Sequence, residues 1–214
     1  MAPMAFNLKS ALKFFIGYHF PSLIFGRSSA DLQFAEDFYK NYFKLFKETG
    51  YFHIQATKPD TVGYGLSDSP AGLAAYILEK FHSWSTALSY KADKKMFESF
   101  TIDEVLTNVM IYWVTNTITS SVRYYKENIG GLLQSDITGL RMYKISKQVP
   151  VAISIPPFAP FKSCKFFIQD QFENLVHFEH LPQGGHFPSF EEPELIADRL
   201  RNFVPLALAS STAT

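Results

Sequence analysis

Leu175-Val176-His177-Phe178-Glu179-His180-Leu181, continuing through Pro182-Gln183-Gly184-Gly185-His186-Phe187, is the stretch that decides the fold. A mostly apolar run ends at Leu181, two glycines break the chain, and a histidine follows at once. Such an order predicts a strand ending in a flexible turn that presents an imidazole at the edge of a sheet. Imidazole is the side chain whose ordinary pKa lets it act as a base near neutral pH. A base in that place requires a nucleophile or water to activate, and a carboxylate to hold its other nitrogen. Beyond it, Glu191–Phe203 has the spacing of an amphipathic helix, and Ala207–Thr214 reads as a loose tail.

Upstream, Val149-Pro150-Val151-Ala152-Ile153-Ser154 is a second strand signal, stopped by Pro156-Pro157, and Phe166–Phe172 reads as a short helix. Two strands, each followed by a helix, resemble the closing half of a parallel sheet. Two strands are also only part of one, because a parallel sheet needs neighbours and cover on both faces.

Before residue 149 the pattern is helical. Leu8–Phe20 stops at Pro21, and Ser29 or Asp31 can cap a helix over Asp31–Lys47 with acids early and lysines late. Tyr51-Phe52-His53-Ile54-Gln55-Ala56 reads as extended or irregular, and Lys58-Pro59-Asp60 as a turn or helix start. Ser69-Pro70 opens a helix with Leu73, Ala74, Ile77, Leu78 and Phe81 on its apolar face and Trp84 at its end. Residues 85–100 read as an exposed loop. Thr101 caps a long helix through Trp113, and a kink is expected between Asn116 and Tyr125, ahead of Gly130-Gly131.

Composition narrows the function classes. The 214 residues carry 20 basic and 20 acidic side chains, with no basic run long enough to grip phosphates, so no nucleic acid partner is expected. Cys164 is the sole cysteine, which excludes an intrachain disulfide and a cysteine zinc cluster. His177 and His180 fall on opposite faces of a strand, so no metal site is expected, and no cofactor either. The run Leu8–Phe25 contains Lys9, Lys13, His19 and Pro21, too polar for a membrane span. The 22 Phe and 11 Tyr suit a core and an apolar pocket.

Four runs, in order, carry a family resemblance. They are Gly50-Tyr51-Phe52-His53-Ile54-Gln55-Ala56-Thr57-Lys58-Pro59-Asp60-Thr61-Val62-Gly63, then Asp68–Phe81, then Ser121-Val122-Arg123-Tyr124-Tyr125-Lys126-Glu127-Asn128, and Gly184-Gly185-His186-Phe187. Together they resemble the C-terminal half of a microsomal-type epoxide hydrolase, closest to the insect juvenile hormone epoxide hydrolases. The resemblance implies a partial α/β-hydrolase fold: a helical cap plus the last two parallel strands and the C-terminal helix. It implies a core remnant over residues 1–30, a cap over 31–146, the closing core over 147–206 and the tail over 207–214.

The resemblance also implies a mechanism. An aspartate on a sharp turn attacks an epoxide carbon and forms an alkyl-enzyme ester, while two cap tyrosines stabilise the developing alkoxide. A histidine, oriented by a carboxylate, then activates water to release the diol. Motif matching puts the tyrosine roles on Tyr51 and Tyr125, which bind the substrate oxygen, and the base on His186. The implied substrates are small apolar epoxides, including juvenile hormone or xenobiotics, with water as co-substrate. The implied location is the endoplasmic reticulum membrane, reached through an anchor.

Two partners of His186 are missing from the sequence pattern. The nucleophilic aspartate and the oxyanion segment are expected upstream of Met1, and the family's triad acid falls on Ala159. No acid occurs between Val149 and Lys165, and Asp170 or Glu173 is expected to point elsewhere. A methyl group cannot orient an imidazole. The expectation is therefore an epoxide hydrolase homologue that does not complete turnover as this chain. The alternatives are a non-catalytic binder of an apolar isoprenoid-like ligand, and a fragment that does not fold alone.

Overall fold

The computed structural model describes residues 8–27, 32, 35–40, 46–85, 100–130, 145–160, 165–169 and 171–212. Expectations for Met1–Asn7, for the caps at Ser29 and Asp31, for most of the loop 85–100 and for Cys164 and Asp170 lie outside the described residues, as does most of 132–147.

The chain opens with helix α1 (Leu8–His19), whose run ends before Pro21, and one turn of helix, α2 (Pro21–Ile24). Residues 35–40 form α3, whose Phe38 and Tyr39 are buried against Phe14, Ile24 and Phe25. After one 3-10 turn at Phe46–Glu48 come α4 (Gly50–Thr57), α5 (Pro59–Asp68) and α6 (Pro70–Trp84). Proline begins both α5 and α6, where its missing N–H costs no helical hydrogen bond. Ser69 caps α6 by accepting from the Gly72 N–H at 3.0 Å.

α4 corrects the extended reading of Tyr51–Ala56. An aromatic, β-branched run looks strand-like in isolation, but burial of Gln55 and Ala56 favours the helix. The correction matters, because helical spacing places Tyr51 and Gln55 one turn apart on the same side.

α7 (Ile102–Thr115) starts at a reciprocal capping box. The Glu104 N–H donates to the Thr101 hydroxyl at 3.2 Å, and the Thr101 N–H donates to the Glu104 carboxylate at 2.8 Å. Asn116, at φ 50, ends it in the left-handed conformation. α8 (Ile118–Tyr125) follows and widens into a π turn at Lys126–Gly130. Leu66, Leu73, Val109, Ile118 and Val122 form one buried cluster, with Val62, Ile77, Tyr112 and Trp113 packed around it. α5 and α8 approach closely because residue 63 is glycine: a Cβ there would lie 3.0 Å from the Thr119 Cα.

β1 (Val151–Ile155) and β2 (Leu175–His180) pair in parallel, as the sequence pattern predicts, with an irregularity between Val151 and Ala152. Among the described residues they form a two-stranded sheet. Between them α9 (Lys165–Ile168) is shorter than expected. Phe172 leaves the helix for a parallel bridge to Ile145, whose N–H donates to the Gln171 carbonyl at 2.9 Å. After β2 come one turn of helix, α10 (Pro188–Glu191), and the long α11 (Pro193–Thr212).

α11 extends nine residues beyond the expected end at Phe203, so residues 207–212 are helical rather than loose. Ala207, Leu208 and Ala209 are good helix formers, and the Asn174 amide at the foot of β2 donates to the Ser210 hydroxyl at 2.6 Å. Midway, Arg199 reaches Glu179 of β2 at 2.7 Å, and the Ser154 hydroxyl of β1 donates to the same carboxylate at 2.9 Å. These bonds hold the helix on the strand pair.

Candidate active site

The turn after β2 is built to fix a histidine. Gly184 adopts φ 103, which residues with a Cβ rarely do. Its carbonyl accepts the Phe158 N–H at 3.2 Å, tying the turn after β1 to the turn after β2. Gln183 is held by Glu192, and the Phe187 N–H donates to the Glu191 carboxylate at 3.0 Å. Phe187 stacks on Phe81 of α6 with centroids 4.3 Å apart and planes 10° apart, and Phe190 lies 5.3 Å from Phe100.

His186 then meets the last residue of α6. Its N–H donates to the Trp84 carbonyl at 2.8 Å, and its ring stands edge-on to the indole at 4.8 Å and 82°. Burial pushes its pKa down to about 4. Desolvation disfavours the imidazolium, so the ring is neutral at pH 7. A neutral imidazole can accept a proton from water, but at that pKa it is a weak base. A carboxylate beside an imidazole raises its pKa, and the position that resemblance assigns to the triad carboxylate holds Ala159. Ala159 follows Phe158, the residue hydrogen-bonded to the histidine turn.

The two tyrosines singled out by motif come together. Tyr51 of α4 and Tyr125 at the end of α8 are edge-to-face at 5.8 Å and 81°. Phe52 sets a second ring against Tyr125, also at 5.8 Å. Tyr51 also packs edge-on to Trp84 at 5.3 Å. Burial drives the Tyr51 phenol above its ordinary pKa, and Tyr125 and then Tyr76 add to the rise. It therefore keeps its proton and serves as a hydrogen-bond donor. Trp84, 6% exposed, contacts both Tyr51 and His186 and so connects the helical layer to the histidine turn.

Four residues around this site were not singled out for chemistry by the sequence: Gln55, Tyr76, Lys80 and Trp84. The buried Gln55 amide donates to the Tyr76 hydroxyl at 3.0 Å, and the Lys80 ammonium lies 4.7 Å from the Tyr51 ring centroid and 4.8 Å from that of Trp84. A signal existed. Tyr76, Lys80 and Trp84 recur every four residues in one helix, as do Tyr51 and Gln55 in another, so each set shares a face. Among the described residues, no group of three or more His, Cys, Asp or Glu is placed to hold a metal ion.

A parallel strand pair whose second strand ends in a glycine turn bearing a half-buried histidine, covered by helices that present paired tyrosines, is part of an α/β-hydrolase fold with a helical cap. No protein-family model matches the sequence. The chain is 41% identical over 197 residues to epoxide hydrolase 1 of Sus scrofa, covering 91% of this chain and 42% of that protein. It is 41% identical over 193 residues to juvenile hormone epoxide hydrolase 2 of Ctenocephalides felis, covering 90% and 40%. The crystal structure of juvenile hormone epoxide hydrolase from the silkworm Bombyx mori superposes with a TM-score of 0.83 at 34% identity, over 98% of this chain and 48% of that one. The chain belongs to the epoxide hydrolase family, and it spans about two fifths of the length of the curated relatives it matches.

Proposed function

We propose that Tyr51 and Tyr125 hold the oxygen of a small apolar epoxide, and that His186 occupies the place of the base that activates water in the family's hydrolysis step. The observation that carries this reading is the Tyr51–Tyr125 pair, with Tyr51 packed on Trp84 and His186 on the same indole. Two phenol hydroxyls side by side can donate to an oxygen on which charge develops. A nearby neutral imidazole can take the proton of a water attacking an alkyl-enzyme ester. Juvenile-hormone-like and xenobiotic epoxides suit the aromatic rings clustered around Tyr51.

We further propose that these 214 residues bind such an epoxide without turning it over. Supporting this is Ala159, a methyl group in the turn tied to the histidine turn, where a carboxylate would raise and orient the imidazole. The test is a turnover and binding pair with an aryl epoxide. Saturable quenching of tryptophan fluorescence without diol is expected, and the double variant Tyr51→Phe with Tyr125→Phe should weaken binding at least tenfold, on the basis of about 1 kcal/mol per lost hydrogen bond. Robust diol formation by this chain would overturn the inactivity. Unchanged affinity in the double variant would overturn the assigned role of the phenols.

The endoplasmic reticulum membrane is the location we infer from the same reading. Among the described residues no helix is long and apolar enough to cross a membrane. Cell fractionation decides the location.

A further inference from the structure

We propose that Lys80 is a positioning residue for Tyr51: its ammonium holds the ring in place and favours the electron density that moves into it when the phenol donates a strong hydrogen bond. The proposal rests on the reading of Tyr51 as the oxygen-binding donor.

The geometry is specific. The ammonium sits 4.7 Å from the Tyr51 ring centroid and 4.8 Å from that of Trp84, so one cation lies over two aromatic rings. The same ammonium pairs with Glu79 at 2.8 Å and Glu48 at 3.6 Å. The Lys80 side chain is 16% exposed, whereas Glu79 is 52% exposed and Glu48 33% exposed. A lysine is ordinarily solvated, and an ion pair on a surface holds a long side chain only weakly. Here two carboxylates and two ring faces all lie within reach of one ammonium. The lysine stem comes from the same helix face as Tyr76 and Trp84, so α6 supplies both the cation and the second ring.

The ring faces carry negative charge density, and a cation over them is attracted most strongly where water is excluded. When Tyr51 donates to an oxygen that gains negative charge, its own oxygen becomes more negative and density spreads into the ring. Burial opposes that change. The fixed ammonium offsets part of the opposition, and its more exposed carboxylate partners, screened by water, cancel less of its field than an unscreened pair would. A lysine that served only to fill space would have no preference for a ligand oxygen.

The experiment compares two probes on the 214-residue chain: an apolar secondary amide, whose carbonyl accepts hydrogen bonds, and a hydrocarbon of the same shape. Lys80→Met should weaken amide binding roughly three- to tenfold, the range of a partly desolvated cation–π contact. It should leave hydrocarbon binding within about twofold, since stem and volume are kept. Lys80→Arg should restore the amide affinity. Equal losses for the two probes, or no loss for the amide, would overturn the proposal.

A second readout needs no ligand. The ζ-carbon NMR resonance of Tyr51, assigned by its disappearance in Tyr51→Phe, should move in Lys80→Met and return in Lys80→Arg. An unmoved resonance overturns the proposal. Where the unmodified chain does not distinguish amide from hydrocarbon, the oxygen-binding reading of Tyr51 fails, and this resonance alone decides the role of Lys80. Lys80→Gln replaces Lys80→Met if the latter does not fold.

Discussion

The helical layer of α4 to α8 and the strand pair with its histidine turn are built to different standards of burial. In the helical layer, Leu66, Leu73, Val109, Ile118 and Val122 lie against one another, none more than 7% exposed. In the strand pair only Ile155 is buried, and no residue of β2 is. Apolar burial contributes about 25 cal/mol per Å² removed from water, so the helices have a core of their own and the strands have little. The two tyrosines stand on the better-buried region. His186 stands on the poorer one and is held from outside, by Trp84 through a carbonyl and a ring and by Phe187 stacked on Phe81. Oxygen binding and water activation are thus unequally supported, and Trp84 is where the two regions meet.

Trp84→Ala breaks that meeting point and has the largest expected effect. Truncating a buried tryptophan costs about 3–5 kcal/mol. Chemical denaturation should show that loss, and amide hydrogen exchange should show protection falling at residues 184–187 before it falls in α5 and α8. Uniform loss across both regions would mean that the helical layer does not stand independently.

A paired substitution probes the helical layer alone. Gly63→Ala puts a Cβ about 3.0 Å from the Thr119 backbone and 2.9 Å from its hydroxyl, and overpacking of this kind costs about 1–3 kcal/mol. Gly65→Ala, two residues along the same helix, meets nothing within 4 Å. It should stabilise by about 0.5–1 kcal/mol, the usual gain over glycine inside a helix. Opposite signs from neighbouring glycines, measured as shifts in urea midpoint, would confirm that close contact with α8 rather than helix propensity governs position 63.

The gentlest test acts on the histidine side. The His186 pKa is about 4 in the folded chain against 6.5 as its ordinary value. The unfolded state therefore binds the proton first. The contribution of neutral His186 to stability is fully present above pH 6.5 and is lost as pH falls toward 4. Its replacement by glutamine should flatten the stability profile over that window. Ala159→Glu should raise the imidazole pKa from about 4 toward neutrality, read from its NMR titration. An unmoved pKa would show that position 159 does not face His186.

Legibility followed the locality of the signal. The caps at Ser69 and Thr101, the proline starts of α5 and α6, and the parallel strands with their proline and glycine stops are set by neighbours in sequence, and the pattern displayed them. Tyr51–Ala56 misled because its aromatic and β-branched residues suit a strand, whereas the helix follows from burying Gln55 and Ala56. The helical end of α11 was missed because its tie, Asn174 to Ser210, joins residues 36 apart in sequence. Motif resemblance singled out Tyr51, Tyr125 and His186. It passed over Lys80 and Trp84, whose aromatic and cationic character reads equally as core and surface.

The sequence by itself determined the starts of α6 and α7, the two strands, the glycine turn that presents His186, the absence of an acid at position 159 and the family. Only the tertiary structure decided that Trp84 carries both Tyr51 and His186, that Lys80 lies over two rings, and that burial is the largest influence lowering the pKa of the imidazole. The physical reason is that capping, turn formation and periodicity depend on residues within a few positions of one another. Ring packing and desolvation depend on which segments meet in space, here residues 51, 84, 125 and 186, and no local pattern fixes that.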